Sequence, residues 1–171
     1  MNTNPVSREF SVVAKITGNV ETVNADPEKS LRNLLRLANI FTNKNCKQSE
    51  ATKKAALSAL EHSATAVQEN ILINFPENFE ANWLTARLMH RMGRYQDALT
   101  FLNAAEELNN SVRGIPFRRA EILSDLHQEL PNKGYSKQAF WIAASATTKH
   151  PSLRNITLVL SLGAQTLGFR R

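Results

Sequence analysis

The sequence predicts an all-α fold, with antiparallel helical hairpins stacked into a short α-solenoid of about seven helices behind a short N-terminal extended arm or hairpin. Three observations lead there. One spacing occurs twice between residues 79 and 151: Gly93, Tyr95, Ala98, Leu102 and Ala105 are answered by Gly134, Tyr135, Ala139, Ala143 and Ala146. Apolar stripes at helical spacing run through residues 27–41 and 49–74. From Ser49 to Asn74 there is neither proline nor glycine, and Ala, Leu, Glu and Lys dominate, which is strong helix propensity.

Taken in order, residues 1–25 form the arm. Residues 9–23 hold two β-branched runs separated by Gly18-Asn19, a pair that tolerates positive φ, and so read as a small β-hairpin. They read equally as a segment that orders only on a partner, because an isolated two-stranded hairpin is marginal in water. The helical domain spans residues 26–171. Its first helix starts at Asp26-Pro27, where the carboxylate caps free amides and proline gives up no hydrogen bond. Leu31, Leu34, Leu35, Ala38 and Phe41 make its apolar face, while Lys29, Arg32 and Arg36 form a basic stripe on another. Asn43, Lys44 and Asn45 break the pattern.

Ser49 is the cap of the next stretch, whose stripe comprises Ala56, Leu57, Leu60, Ala64, Val67, Ile71 and Leu72 and which ends at Phe75-Pro76. It reads as one rod or as two helices sharing a bend. A helix from about residue 78 to 92, a turn at Gly93-Arg94 and a helix over 95–108 follow. Asn109-Asn110-Ser111 and Gly114-Ile115-Pro116 make the longest connection of the second half, before a helix over about 117–130. A turn at Pro131-Asn132-Lys133-Gly134 leads to a helix over 135–149, which His150-Pro151 stops. Residues 152–167 form a last apolar helix, and Gly168-Phe169-Arg170-Arg171 a short basic tail.

Close approach of antiparallel helices needs small side chains at the crossing, and the repeated alanines supply them. With Asn82-Trp83-Leu84-x-Ala86 ahead of Gly93-x-Tyr95-x-x-Ala98, residues 79–112 resemble a tetratricopeptide repeat, so the expected solenoid is TPR-like. Trp83 stands one place later than that family's usual aromatic position. Residues 120–153 keep the Gly, Ala, Ala, Ala and Pro of the repeat's second half but carry Leu126-His127 in place of Leu-Gly. The copies lie 41 positions apart rather than 34, which places a seven-residue insertion in residues 111–117. A degenerate copy over about residues 45–78 retains Ala64 and Pro76.

The resemblance implies a concave groove lined by the first helix of each hairpin. Its positions here are Glu80, Trp83, Arg87, His90 and Arg91, then Glu121, Ser124, Gln128, Pro131 and Asn132 in the second copy. The first set is basic and aromatic, which suits an acidic peptide or a carboxylate. The family's carboxylate clamp is not reproduced at Leu84, Ser124 and Gln128. Read from the residues alone, Arg87 and Arg91 also fit a solvated helix face, and Trp83 fits core packing. Whether Lys29, Arg32 and Arg36 line the same groove decides whether that groove is electropositive.

The 171 residues carry a net charge of +6, compatible with acidic protein or nucleic-acid partners, but no run of five or more Lys/Arg occurs. The functional expectation is a non-enzymatic adaptor, scaffold or chaperone-like subunit holding an acidic partner segment; the alternative is nucleic-acid association through the basic face. The C-terminal helix, with only Arg154, Asn155, Ser161 and Gln165 as a polar face, reads as a cap or as a homo-oligomerisation surface. His62, His90, His127 and His150 show no metal-ligand spacing, and no phosphate loop or nucleophile elbow occurs, so neither a metal nor a cofactor is expected. Cys46 is the single cysteine, which fits a reducing compartment. No stretch reaches the roughly 18 apolar residues of a spanning helix, so a cytoplasmic location without membrane insertion is the expectation.

Overall fold

The computed structural model describes residues 5–43, 45–131 and 134–167. These form eight α-helices and no strand: α1 (Pro5–Glu21), α2 (Pro27–Phe41), α3 (Glu50–Asn74), α4 (Phe79–Arg91), α5 (Tyr95–Leu108), α6 (Gly114–Glu129), α7 (Tyr135–Lys149) and α8 (Leu153–Thr166). Several expectations fall partly or wholly outside the described residues: the first four residues of the arm, Lys44, the groove position Asn132, Lys133 and the basic tail from Gly168. The chain divides into two compact units, Met1–Leu108 with α1–α5 and Asn109–Arg171 with α6–α8. The boundary falls in the Asn109-Asn110-Ser111 connection, where polar turn-forming residues leave no apolar side chain to bury.

The arm expected over residues 1–25 is corrected by α1. Val12, Ile16, Val20 and Val23 recur at the helical spacing of four, four and three; Ile16 and Val23 are fully buried, and Val12 and Val20 half-buried. Packing of α1 on α3 buries this face, and tertiary burial outweighs the β preference of valine and isoleucine. Asn19 of α1 accepts from Asn33 of α2 at 3.0 Å, and Asn24 just beyond α1 accepts from Asn70 of α3 at 2.8 Å.

Side chains cap four helices. Asp26 accepts from the Lys29 amide at 3.0 Å, Ser49 from Thr52 at 3.1 Å, Asn78 from Ala81 at 2.9 Å and Ser152 from Asn155 at 3.2 Å. The stretch that reads as one rod or as two helices sharing a bend is a single helix, since α3 runs uninterrupted for 25 residues. Nothing between Glu50 and Asn74 breaks a helix, and its stripe of Ala56, Leu60, Ala64, Val67 and Ile71 is buried throughout. In the first unit alternate helices pack side by side, α1 on α3 and α2 on α4, and α4 packs most extensively on α5.

The α4–α5 turn shows why Gly93 is glycine. Its φ is 76°, and with Gly93 N–H donating to His90 C=O at 3.1 Å and Arg94 N–H to Met89 C=O at 2.9 Å it closes a Schellman motif. The Arg94 guanidinium then bonds Asp97 at 2.8 Å, Thr65 at 3.0 Å and Gln68, holding the start of α5 to α3. Ala98, Leu102 and Ala105 are fully buried, as the close approach to α4 requires. Within α4, buried Asn82 donates to the carbonyls of Pro76 and Asn78, each at 2.9 Å, and fixes the preceding turn.

In the second unit α6 begins at Gly114 rather than near residue 117. Pro116 sits in its first turn, where an amide has no intrahelical acceptor to lose, and the adjacent Ile115 is buried. α7 packs on α6 and α8, burying Ala139, Ala143 and Ala146. Gly134, at φ 69°, starts α7, and Gly163 lets the Phe140 ring come within 3.4 Å of where a Cβ would stand.

Gly18 supplies a test of the corrected N-terminus. A Cβ there meets nothing within 4 Å and its φ is not left-handed. Gly18→Ala is expected to stabilise the protein by about 0.5–1 kcal/mol, raising Tm by about 2–4 °C in a thermal melt. Gly93→Ala is expected to lower it by a similar amount. A loss of stability in Gly18→Ala would contradict the helix and favour a turn at Gly18-Asn19.

Candidate site: a cationic cavity between α2 and α4

Burial of Leu31, Leu34, Leu35 and Ala38 fixes the rotation of α2, and the next residues around the helix, Arg32 and Arg36, then stand at the edge of the surface shared with α4. In α4, burial of Leu84 and Leu88 likewise leaves Glu80 and Arg87 at that edge. The α2–α3 connection closes a third side. Together they border a solvent-open surface cavity of about 870 Å³ lined by Arg32, Leu35, Arg36, Asn39, Ile40, Asn43, Asn45, Cys46, Lys47, Gln48, Glu80, Leu84 and Arg87.

Four lining side chains are cationic and one is acidic. Glu80 does not face an incoming group alone. Its carboxylate accepts from Arg32 at 2.9 Å, joining α4 to α2, while Glu28 lies 3.4 Å from the same guanidinium. Arg32 is thereby neutralised, whereas Arg36, Lys47 and Arg87 make no ion pair among the described residues. Exposed Ile40 adds apolar surface above the buried Leu35 and Leu84, and Asn39, Asn43, Asn45 and Gln48 add amides able to donate and accept. The cavity is therefore equipped to hold an anionic group beside an apolar one.

The residues singled out in the sequence separate accordingly. Arg32, Arg36, Glu80 and Arg87 come together in this cavity; Lys29, Trp83, His90 and Arg91 are not among its lining residues. Lys29 and Arg91 are exposed, Trp83 is half-buried, and the His90 ring lies 5.8 Å from that of Tyr95 in a tilted contact. Glu121, Ser124 and Gln128 stand on α6 in the second unit. There Glu121 pairs with Arg118 at 2.7 Å and approaches Arg154 of α8 to 3.5 Å, and buried Ser124 donates to Gln165 of α8 at 2.8 Å. Gln128 donates to Asp125 at 3.5 Å, and Pro131 is exposed just after α6.

Lys47 and the neighbouring amides are contributors that sequence reading passes over. Their only mark is the polar run Asn43 to Gln48, which reads as a break between helices rather than as a wall. Among the described residues no group of three or more His, Cys, Asp or Glu is placed to hold a metal ion, and no helix is long and apolar enough to cross a membrane. Comparison with family models, with curated proteins and with solved structures finds no match to this chain.

The Arg32–Glu80 pair is solvent-exposed on the arginine side, so its contribution to stability is small. A double-mutant cycle with Arg32→Ala and Glu80→Ala, followed by urea unfolding, is expected to give a coupling of about 0.2–1 kcal/mol.

Proposed function

We propose that this chain is a non-enzymatic protein–protein interaction module, an adaptor, scaffold or chaperone-like subunit, that holds an acidic segment of a partner protein against α2 and α4. The observation that carries this reading is the convergence of Arg36, Lys47 and Arg87, none ion-paired among the described residues, around one groove that also presents the exposed side chain of Ile40. Carboxylates of the partner satisfy the guanidinium groups, an apolar residue between them meets Ile40, and the amides of Asn39 and Asn43 take up its backbone polar groups. The tetratricopeptide resemblance of residues 79–112 supports the same face, because Glu80 and Arg87 are groove positions under that resemblance.

Nucleic-acid association is the weaker reading. Single-stranded nucleic acid is held by cations together with aromatic platforms for its bases, and no Trp, Tyr or Phe lines this cavity.

The test is fluorescence anisotropy with a labelled peptide of interspersed Glu and Leu. Arg36→Glu/Arg87→Glu is expected to weaken binding by about 30-fold or more. Lys137→Glu/Lys149→Glu, which changes net charge equally on α7, is expected to weaken it by no more than about threefold. Equal losses in the two variants would show non-specific attraction to a basic protein and overturn the assignment.

A further inference from the structure

The last helix carries two apolar faces. Leu158, Val159 and Leu162 form the one turned into the second unit, with Leu162 buried and the neighbouring Gly163 against Phe140 of α7. Leu153, Ile156, Leu160 and Leu167 form the other, and they are 87%, 44%, 69% and 77% exposed. Within α8 the spacing of Leu153, Ile156 and Leu160, three and then four residues, is that of successive a and d positions, and Leu167 continues the same side at the helix cap beyond Gly163, which packs inward on Phe140. A capping helix needs only one apolar face, so the second is unexplained by the packing of α6, α7 and α8.

We propose that this second stripe is a self-association surface, covered by α8 of a second copy of the chain in an antiparallel two-helix seam. Three features select a second copy over an unlike partner. No charged residue lies on the stripe, and Thr157 and Ser161, which flank it, are uncharged, so nothing there encodes a partner of opposite charge. An uncharged heptad stripe is complementary to itself, as a twofold contact demands. Arg154 is the charged residue in the α8 sequence; it lies off the stripe, 3.5 Å from Glu121, and an antiparallel seam sets the two copies of it at opposite ends.

The area sets the strength. Four largely exposed Leu and Ile side chains offer on the order of 400 Å² of apolar surface, within the range of functional patches and about half of what each partner buries in a standard interface. The association is accordingly reversible and concentration-dependent, and it uses a surface separate from the α2–α4 cavity, so it stands independently of that assignment.

Sedimentation velocity of the full chain from about 2 to 200 µM reads it directly. The weight-average sedimentation coefficient of the natural chain is expected to rise with concentration towards that of a dimer. Leu160→Glu and, separately, Leu153→Glu are expected to weaken association about tenfold or more while keeping the helical circular dichroism of the natural chain, since both side chains are mostly exposed. A natural chain that stays monomeric over the whole range, because the stripe is bare or is covered by something else, would overturn the proposal. So would a dimer undiminished in both variants.

Discussion

Burial of Leu31, Leu34, Leu35 and Ala38 between α2 and its neighbours sets the positions of Arg32 and Arg36, against which the charged groups of α4 are brought. A helix has one rotation about its axis once such a stripe is buried, and each buried Leu contributes on the order of 2 kcal/mol to holding it. With α2 so fixed beside α4, Arg32 meets Glu80 and Arg36 shares a cavity with Arg87. The ion pair follows from the packing rather than causing it, because an exposed pair is too weak to choose between helix arrangements. What the pair does is engage one cation and the one acidic lining group with each other, leaving Arg36, Lys47 and Arg87 as the lining cations that make no ion pair among the described residues.

The placement of α4 rests in turn on small residues and on backbone capping. Ala98 and Ala105 let α5 approach, the Schellman turn at Gly93 fixes the reversal, and Arg94 bonds the start of α5 to Thr65 and Gln68 of α3. Asn82 anchors the other end of α4 to the turn after α3. Apart from the bonds of Arg94 to α3, which span 29 and 26 positions, these contacts are local or nearly so, and their residue types are demanding: glycine for a left-handed backbone, alanine for a close crossing, a polar side chain for an orphan amide. The second unit uses the same devices at Gly134, Ala139, Ala143 and Gly163.

That locality explains what can be read from one sequence. Asp26-Pro27, Ser49, Phe75-Pro76, Gly93 and the alanine triplets announce α2, α3, α5 and α7 because each acts within a few residues of itself. The N-terminal segment is misleading for the opposite reason. Its valines and isoleucine fit a strand by propensity and a helix by spacing, and only burial against α3, far along the chain, decides. Pro116 likewise reads as a loop residue until it is seen to occupy a first turn. Of the site, the cations of α2 and α4 are legible as separate stripes, but their union spans the 48 positions between Arg32 and Glu80, and no local pattern encodes such a separation. Lys47 is hidden for the same reason, in a connection that looks like a mere break. The exposed stripe of α8, by contrast, is legible as a helix with too little polar surface, and the structure separates its inward face from its outward one.

The claim that α2 and α4 form one cationic receptor is tested most directly by nuclear magnetic resonance of the labelled full chain during titration with an acidic peptide. The arginine side-chain Nε–H resonances of Arg36 and Arg87 and the side-chain amides of Asn39 and Asn43 are predicted to shift together along one saturating curve, while those of Arg113, Arg154 and Arg91 stay in place. Shifts spread evenly over all exposed arginines, or Arg36 and Arg87 saturating at different peptide concentrations, would contradict it.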